Sequence, residues 1–599
     1  MKLSDYIFSQ LREWGARHIF LVTGGGAMHL NDSIGTSGLS YICTHHEQAA
    51  AMAAEGYARI TRSPGVLNVT TGPGGINALN GVFGAWTDSV PMLILSGQVK
   101  RETCMATYGL TDLRQLGDQE VDIVRMVRGI TKYAVFVDDP ESIAYHLERA
   151  WYLAQNGRPG PCWLDIPVDV QSAQIDPASL RHYDPYEDAS VFDSAIVIEQ
   201  VADVLSRISS AERPVIMAGS GVRLGGAMKE FEQVIRALRI PVVTAWTHDL
   251  LATDDELFCG RPGTIGERAG NFTVQNSDVL LVLGSRLNIR QISYNWDSFA
   301  RFATEIQVDV DPAELRKPMH QPDIPIHCDL NLFLSEMARQ LASSPTSNPK
   351  HEKWLERAHQ WKAKYPVVHA GQRVAGPPLN PYDFVDRLFD LLGPDDAVVC
   401  GNATACIVPY QTAKLKKGQR LISNSGSASM GYDLPAAIGV AAAKNGRTIC
   451  LAGDGSLQMN VQELQTLVGY QLPVKLFVLN NNGYLSIRQT QTGFFQGRKI
   501  GESSESGVTF PNMKRVAEAY GIPAFSIDKI DDLEILKVEL DKPGPALFDV
   551  SLDPSQGFEP RLRSRILPDG KILTPNLEDM FPFLDPEELA SNMLVEEKG

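Results

Sequence analysis

Two polar pairs separated by one helix and one strand give this sequence its first chemical signal. Gly453-Asp454-Gly455-Ser456 follows the apolar run TICLA, and Asn480-Asn481 follows VKLFVL, 27 residues after Asp454. That interval holds one helix and one strand, so a carboxylate and an amide oxygen arrive at one sheet edge. Both are hard oxygen ligands, and the oxygens of a diphosphate and of water would complete the octahedron that Mg²⁺ demands. Gly453 and Gly455 let backbone approach phosphate, and the helix that follows offers free N–H groups and a positive dipole end. Much earlier, Glu47 opens the alanine-rich segment EQAAAMAAEGYAR directly after a short strand, and Thr71-Gly72-Pro73-Gly74-Gly75 forms a tight turn after another. Taken alone, Glu47 also fits an acid that simply favours the positive end of its helix, and the glycine turn lets a flat group lie against backbone.

The elements that must position these residues are parallel βα units, read from β-branched runs that enter glycine turns. HIFLVTGGG, GVLNVTTGPGG, PMLILSGQ and PCWLDIPVDV place a first domain over residues 1–175. PVIMAGSG, IPVVTAW, VLLVLGS and EIQVDVDP place a second over 190–345, and DAVVCGN, TICLAGDG, VKLFVLNNN and ALFDVSLDP a third over 375–556. QIDPASLRHYDPYEDAS and SSPTSNPK read as linkers. The expected fold is α/β, three consecutive doubly wound parallel-sheet domains, with ligands at the carboxyl ends of the strands. Residues 557–599, with Arg561, Arg563 and Arg565 in a Pro-rich stretch, read as a tail poor in core residues and able to close as a lid.

GDGS…LNN with HHEQAAAMAAEGYAR resembles the thiamine diphosphate enzyme family. The resemblance implies a pyrimidine-binding domain, a central domain and a diphosphate-binding domain, in that order. By it Asp454 and Asn481 ligate Mg²⁺ through side chains and Gly483 through its carbonyl, and Glu47 is the acid that exchanges a proton with the aminopyrimidine. Thr71, Pro73 and Gly74 lie beside that ring, with Gly25 and Asn77 near it. Met430 props the cofactor in its bent shape, and Asn402, Thr404, Ser427, Gly453, Gly455, Ser456 and Tyr484 surround the diphosphate. His46 and His29 are substrate-side candidates, although a capping or solvated role fits His46 as well. The active site in this family spans two subunits, so a homodimer or homotetramer is expected.

Within the family the chain is similar to the acetohydroxyacid synthase large-subunit branch, in segments such as DLRQLGDQEVDIV and RAGNFTVQNSDVLLVLGSRL. Gln119 matches an active-site glutamine of that branch. Asp118 stands where a phenylalanine is expected and Val168 where a lysine is expected, and both positions border the substrate. The implied activity is decarboxylation of a 2-keto acid, pyruvate above all, with addition of the acyl carbanion to a second carbonyl. TGGGAMHL, with His29, resembles instead the carboligases that transfer an acetyl unit to a ketosugar. A plain decarboxylase, an acyl-CoA lyase of the oxalyl type and a non-enzymatic regulatory flavoprotein complete the alternatives. In the central domain Gly219, Gly221, Arg286 and Asp309 occupy the places of turns that hold a non-redox FAD, against a relic cleft left empty or filled by ADP.

The bulk properties narrow the partners. A net charge of −16 over 599 residues repels phosphate backbones and anionic lipid, so neither nucleic acid nor membrane is expected. Asp5 and Arg12 interrupt the N-terminal stretch where a signal peptide needs apolar residues, which predicts a cytoplasmic protein. The eight cysteines form no CxxC pair and read as small apolar fillers.

Overall fold

The computed structural model describes residues 1–245, 249–344, 348–374, 376–444, 446–566 and 571–595. Three parallel sheets appear. The first holds β1 (His18–Leu21), β2 (Ser40–Cys43), β3 (Gly65–Val69), β4 (Met92–Gln98), β5 (Tyr133–Phe136) and β6 (Pro161–Pro167), in the order 2-1-3-4-6-5. The second holds β7 (Pro214–Ala218), β8 (Val242–Thr244), β9 (Val279–Leu283), β10 (Thr304–Asp309) and β11 (Ile324–His327), in the order 11-10-9-7-8. The third holds β12 (Ala397–Cys400), β13 (Arg420–Ile422), β14 (Thr448–Gly453), β15 (Val474–Asn480), β16 (Ala524–Ile527) and β17 (Ala546–Ser551), in the order 13-12-14-15-17-16. β3, β4, β6, β7 and β9 are buried at every residue, as strands covered by helices on both faces must be.

Strand order reverses at three places, and each lies where the sequence set its glycine turns. They are the gaps between β1 and β3, between β7 and β9, and between β12 and β14. At such switch points the loops diverge and leave a crevice. The turns Gly24–Gly26 and Thr71–Gly75 border the first, and Gly401–Thr404 and Gly453–Ser456 border the third.

The three sheets and their helices fall into two compact units. Residues 1–190, 396–405 and 422–552 make one; 191–395, 406–421 and 553–599 make the other. In the first unit, the helices Glu47–Thr61 and Asp433–Ala443 cross in backbone contact. A Cβ on Gly56 would lie 2.4 Å from the Ala436 carbonyl oxygen, and one on Gly439 would lie 1.8 Å from that of Ala53. The alanines and glycines of these helices are what permit that approach.

Two expectations need correction. The stretch SSPTSNPK is not a linker throughout: Asn348 caps a helix, Pro349–Lys364, whose Trp354 and Trp361 are buried, while Pro345–Ser347 lie outside the described residues. Nor is the tail poor in core residues. Leu577 and Met580 are fully buried, Glu578 pairs with Arg301 at 2.8 Å, and Trp361 Nε1 donates to Asn592 Oδ1 at 2.8 Å. The described part of the tail is therefore a packed portion of the second unit; residues 567–570 and 596–599 lie outside the description. The cysteines are buried fillers as expected, except half-exposed Cys43.

Candidate active site

At the carboxyl edge of the third sheet, β14 delivers Asp454 into a buried turn. Its Oδ1 accepts from Gly455 N and its Oδ2 from Gly483 N, each at 2.8 Å. The carboxylate thus ties the end of β14 to the loop after β15. Burial pushes its carboxyl up to about 6, against the pull of those two N–H groups; a nearby cation would draw it down again. Asn481 is held by its amide nitrogen, which donates to Thr404 Oγ1 at 2.9 Å. Its Oδ1 is buried with no hydrogen-bond partner among the described residues. Gly483, at φ +131°, has no room for a side chain, because a Cβ would sit 2.0 Å from the Glu502 carbonyl oxygen.

Two hard oxygens at one crevice, one of them unsatisfied, fit a small divalent cation. Among the described residues no group of three His, Cys, Asp or Glu side chains could hold a metal. Gly455 serves the same crevice, since the Tyr484 ring lies 2.1 Å from where its Cβ would be.

The loop with Ser427 and Met430 is fixed on both sides. Gly431 N donates to Ser456 Oγ at 2.9 Å and Asn460 Nδ2 donates to the Gly431 carbonyl at 2.7 Å. Ser456 Oγ in turn donates to the buried Asp433 at 2.5 Å. Toward the first sheet, Ser429 Oγ donates to Asn80 Oδ1 at 2.8 Å and Tyr432 to buried Glu55 at 2.6 Å. Asn402 Nδ2 reaches the Ala428 carbonyl at 3.2 Å. Met430 stands half-buried between these anchors.

The first sheet gathers Glu47, Gly74 and Asn77. Glu47 is the first residue of its helix, Asn77 Nδ2 donates to its Oε2 at 3.0 Å, and a Cβ on Gly74 would lie 3.5 Å from its Oε1. Glu47 is half-buried. His46 acts as helix cap, its Nδ1 accepting from Gln48 N at 3.0 Å. His29 is half-buried on the helix Met28–Thr36, and among the described residues it makes no hydrogen bond to Glu47. Gly25 is exposed, while its neighbour Gly26 presses so closely on Thr71 that a Cβ would meet Oγ1 at 1.8 Å.

Gln119 is exposed and left-handed, at φ 63°, and its carbonyl oxygen lies 2.1 Å from where a Gly72 Cβ would be. The Gln119 loop therefore rests on the turn that includes Thr71 and Pro73. What holds it there is Glu120, which the sequence reading missed. This buried carboxylate accepts from the backbone of Met105, Leu116 and Gly117 at 2.5, 3.1 and 2.9 Å. Behind it, Gln98 Nε2 joins the Val121 carbonyl to buried Asp165 at 3.1 Å each. Burial pushes the Asp165 carboxyl up to about 7, against hydrogen bonds from Ser96 and Gln98.

In the second unit the glycines of the expected FAD turns have another sufficient use. A Cβ on Gly219 would lie 2.3 Å from the Gly284 carbonyl oxygen, and one on Gly221 would lie 2.7 Å from Gly284 Cα. The two turns pack backbone on backbone. Lys317 Nζ donates to the Arg286 carbonyl, and Asp309 Oδ1 accepts from Asp311 N at 2.9 Å.

Two α/β sheets thus present an acid, a glycine turn and a pair of oxygen donors at their carboxyl edges, an arrangement compatible with an enzyme that holds a diphosphate cofactor. Family matches agree: residues 1–126 match the N-terminal TPP binding domain of thiamine pyrophosphate enzymes, 201–337 their central domain, and 401–550 their C-terminal TPP binding domain. The chain belongs to the thiamine pyrophosphate enzyme family. It is 32% identical over 581 residues to the acetolactate synthase large subunit of Lactococcus lactis subsp. lactis, covering 95% of this chain and 96% of that one. It is 31% identical to the acetolactate synthase isozyme 2 large subunit of Escherichia coli, over 94% of this chain and 97% of the other. Acetolactate synthase 2, chloroplastic, of Nicotiana tabacum is 31% identical over 94% and 84%. No helix among the described residues is long and apolar enough to cross a membrane.

Proposed function

We propose that this chain is a thiamine-diphosphate- and Mg²⁺-dependent carboligase that decarboxylates pyruvate and adds the resulting acyl carbanion to a second carbonyl. The names of its relatives support the reaction class, and the observation that supports the cofactor most directly is the unpartnered, buried Asn481 Oδ1 beside Asp454. When bound, thiamine diphosphate supplies the electron sink for the carbanion. The chain supplies the rest. Asp454, Asn481 and the Gly483 carbonyl hold the cation, and Gly453, Gly455, Ser456, Asn402, Thr404, Ser427 and Tyr484 border the diphosphate. Glu47, with Oε2 engaged by Asn77, keeps Oε1 to hold and return a proton. Gly25, Thr71, Pro73 and Gly74 form the flat floor beside it, and Met430 the apolar prop.

A second copy completes the site in this reading, as a homodimer or a pair of them. Ile76, Phe83 and Trp86 favour it: they are exposed on one face of the helix that bears Asn77, at 41%, 41% and 37%. A ketosugar or other polar ketone as acceptor is favoured by exposed Asp118, which puts a carboxylate beside Gln119 where the synthases have an apolar ring. FAD is proposed only as a structural passenger of the second unit, and flavin absorbance of the purified protein decides it. A cytoplasmic location belongs to the same proposal. The cofactor assignment is tested by calorimetric titration of thiamine diphosphate with and without Mg²⁺. Binding should need the metal and vanish in Asp454→Ala; unchanged affinity in that variant would contradict the site.

A further inference from the structure

The loop that presents Asn481 and Gly483 is braced from two directions. Asn482 and Gly483 both take positive φ, 57° and 131°, and within the loop Asn480 Oδ1 accepts from Asn482 N at 3.2 Å. Further support comes from 20 residues on. Glu502 is fully buried, and its Oε2 accepts from Arg488 Nε at 2.7 Å. Arg488 also donates to the loop itself: Nη1 reaches the Asn481 carbonyl at 3.2 Å and Nη2 the Asn482 carbonyl at 2.7 Å. The other carboxylate oxygen of Glu502 accepts from Ser503 Oγ at 2.8 Å, and its main-chain carbonyl accepts from Tyr484 N at 2.8 Å. One buried carboxylate, one guanidinium and one peptide group thus fasten residues 481–484 from behind. A lysine could not replace the arginine, because a single ammonium cannot span that planar arrangement of three acceptors.

We propose that Arg488 and Glu502 are positioning residues that set the cation selectivity of this site, holding the loop stiff enough to prefer Mg²⁺ over Ca²⁺. This rests on the reading that Asp454, Asn481 and Gly483 hold the cation. Mg²⁺ demands a near-ideal octahedron at about 2.0–2.1 Å, whereas Ca²⁺ accepts variable geometry at about 2.3–2.6 Å. A rigid loop serves the first; a slack loop penalises it more than the second. Both act on the loop from behind, so their effect would pass through the carbonyls of Asn481 and Asn482 and the fixed position of Gly483.

The test is a pair of titrations on the full chain, thiamine diphosphate with MgCl₂ and thiamine diphosphate with CaCl₂, read by calorimetry. They are run on wild type, Arg488→Lys and Glu502→Gln, with circular dichroism and the melt of the metal-free protein as controls. In Arg488→Lys the apparent Mg²⁺ affinity should fall ~10-fold or more, as loss of groups that orient ligands commonly costs. The Ca²⁺ affinity should fall by no more than about threefold, given its tolerance of irregular shells. Glu502→Gln should shift the ratio the same way; if it fails to fold, Arg488→Lys decides alone. Unchanged affinities, or an equal fall for both cations, would overturn the proposal. Absence of Mg²⁺-dependent binding in wild type would instead overturn the site assignment beneath it.

Discussion

Asn481 gives its amide nitrogen to the Thr404 hydroxyl at 2.9 Å and thereby keeps its own oxygen buried without a partner. A buried unsatisfied acceptor costs about 1–3 kcal/mol. In the site proposed above, a cation held with the Asp454 carboxylate would satisfy that oxygen.

Thr404→Val keeps the shape of the side chain and removes the group that orients the amide. The Asn481 side chain is then free to turn, and affinity for Mg²⁺ in the presence of thiamine diphosphate should fall ~10-fold or more. Calorimetry checks this. If the variant binds the metal as wild type does, Thr404 does not orient a ligand.

Glu47→Gln should leave folding and cofactor binding in place and lower turnover by ~10²–10⁴-fold, the range over which general acid–base assistance commonly acts. The amide still accepts from Asn77 but has no proton to exchange. Wild-type turnover in the variant would remove Glu47 from the mechanism.

The Asp165 carboxyl, pushed up to about 7 by burial, predicts a stability slope. Its folded value lies above its unfolded value of 3.8. Between those limits the native state keeps a proton that the unfolded chain has lost, so its contribution is fully present below pH 4 and is lost as pH rises through 7. The difference of roughly three units corresponds to an upper bound of about 4 kcal/mol. Asp165→Asn should abolish that slope in the first unit, so urea melts at pH 5 and pH 8 should show wild type losing stability relative to the variant. Parallel behaviour at both values would mean that Asp165 is ionised throughout.

Much of this site was legible in the sequence because its parts are local. A β-branched run entering Gly453-Asp454-Gly455 states both the strand and the backbone approach at its end. The 27 residues to Asn481 do hold the expected strand, Val474–Asn480, although the one expected helix is broken at Asn460 into the short helices Asp454–Leu457 and Leu464–Gly469. The same holds for Glu47 before its alanines, whose smallness proves to serve the crossing with Asp433–Ala443. What was not legible depends on contacts between distant, ordinary residues. Glu120 reads as one more surface acid until the amides of Met105, Leu116 and Gly117 close on it, and nothing in spacing joins Arg488 to Glu502. Asn348-Pro349 was a readable helix start, a cap before proline at the first position, but the adjacent serines and Pro345 pulled the reading toward a linker. The tail misled for another reason: its apolar residues from Leu577 to Leu584 are broken by Pro582 and follow no period, and only docking into the second unit shows Leu577 and Met580 as core.

The central claim is best tested by incubating the purified chain with thiamine diphosphate, Mg²⁺ and carbon-13-labelled pyruvate, alone and with a panel of aldehydes, ketones and ketosugars, and identifying products by mass. The account predicts CO₂ release that requires both cofactor and metal, with the labelled two-carbon unit recovered in a product joined to an acceptor by a new carbon–carbon bond. Label recovered only as free acetaldehyde with every acceptor, or no cofactor-dependent CO₂ at all, would contradict it.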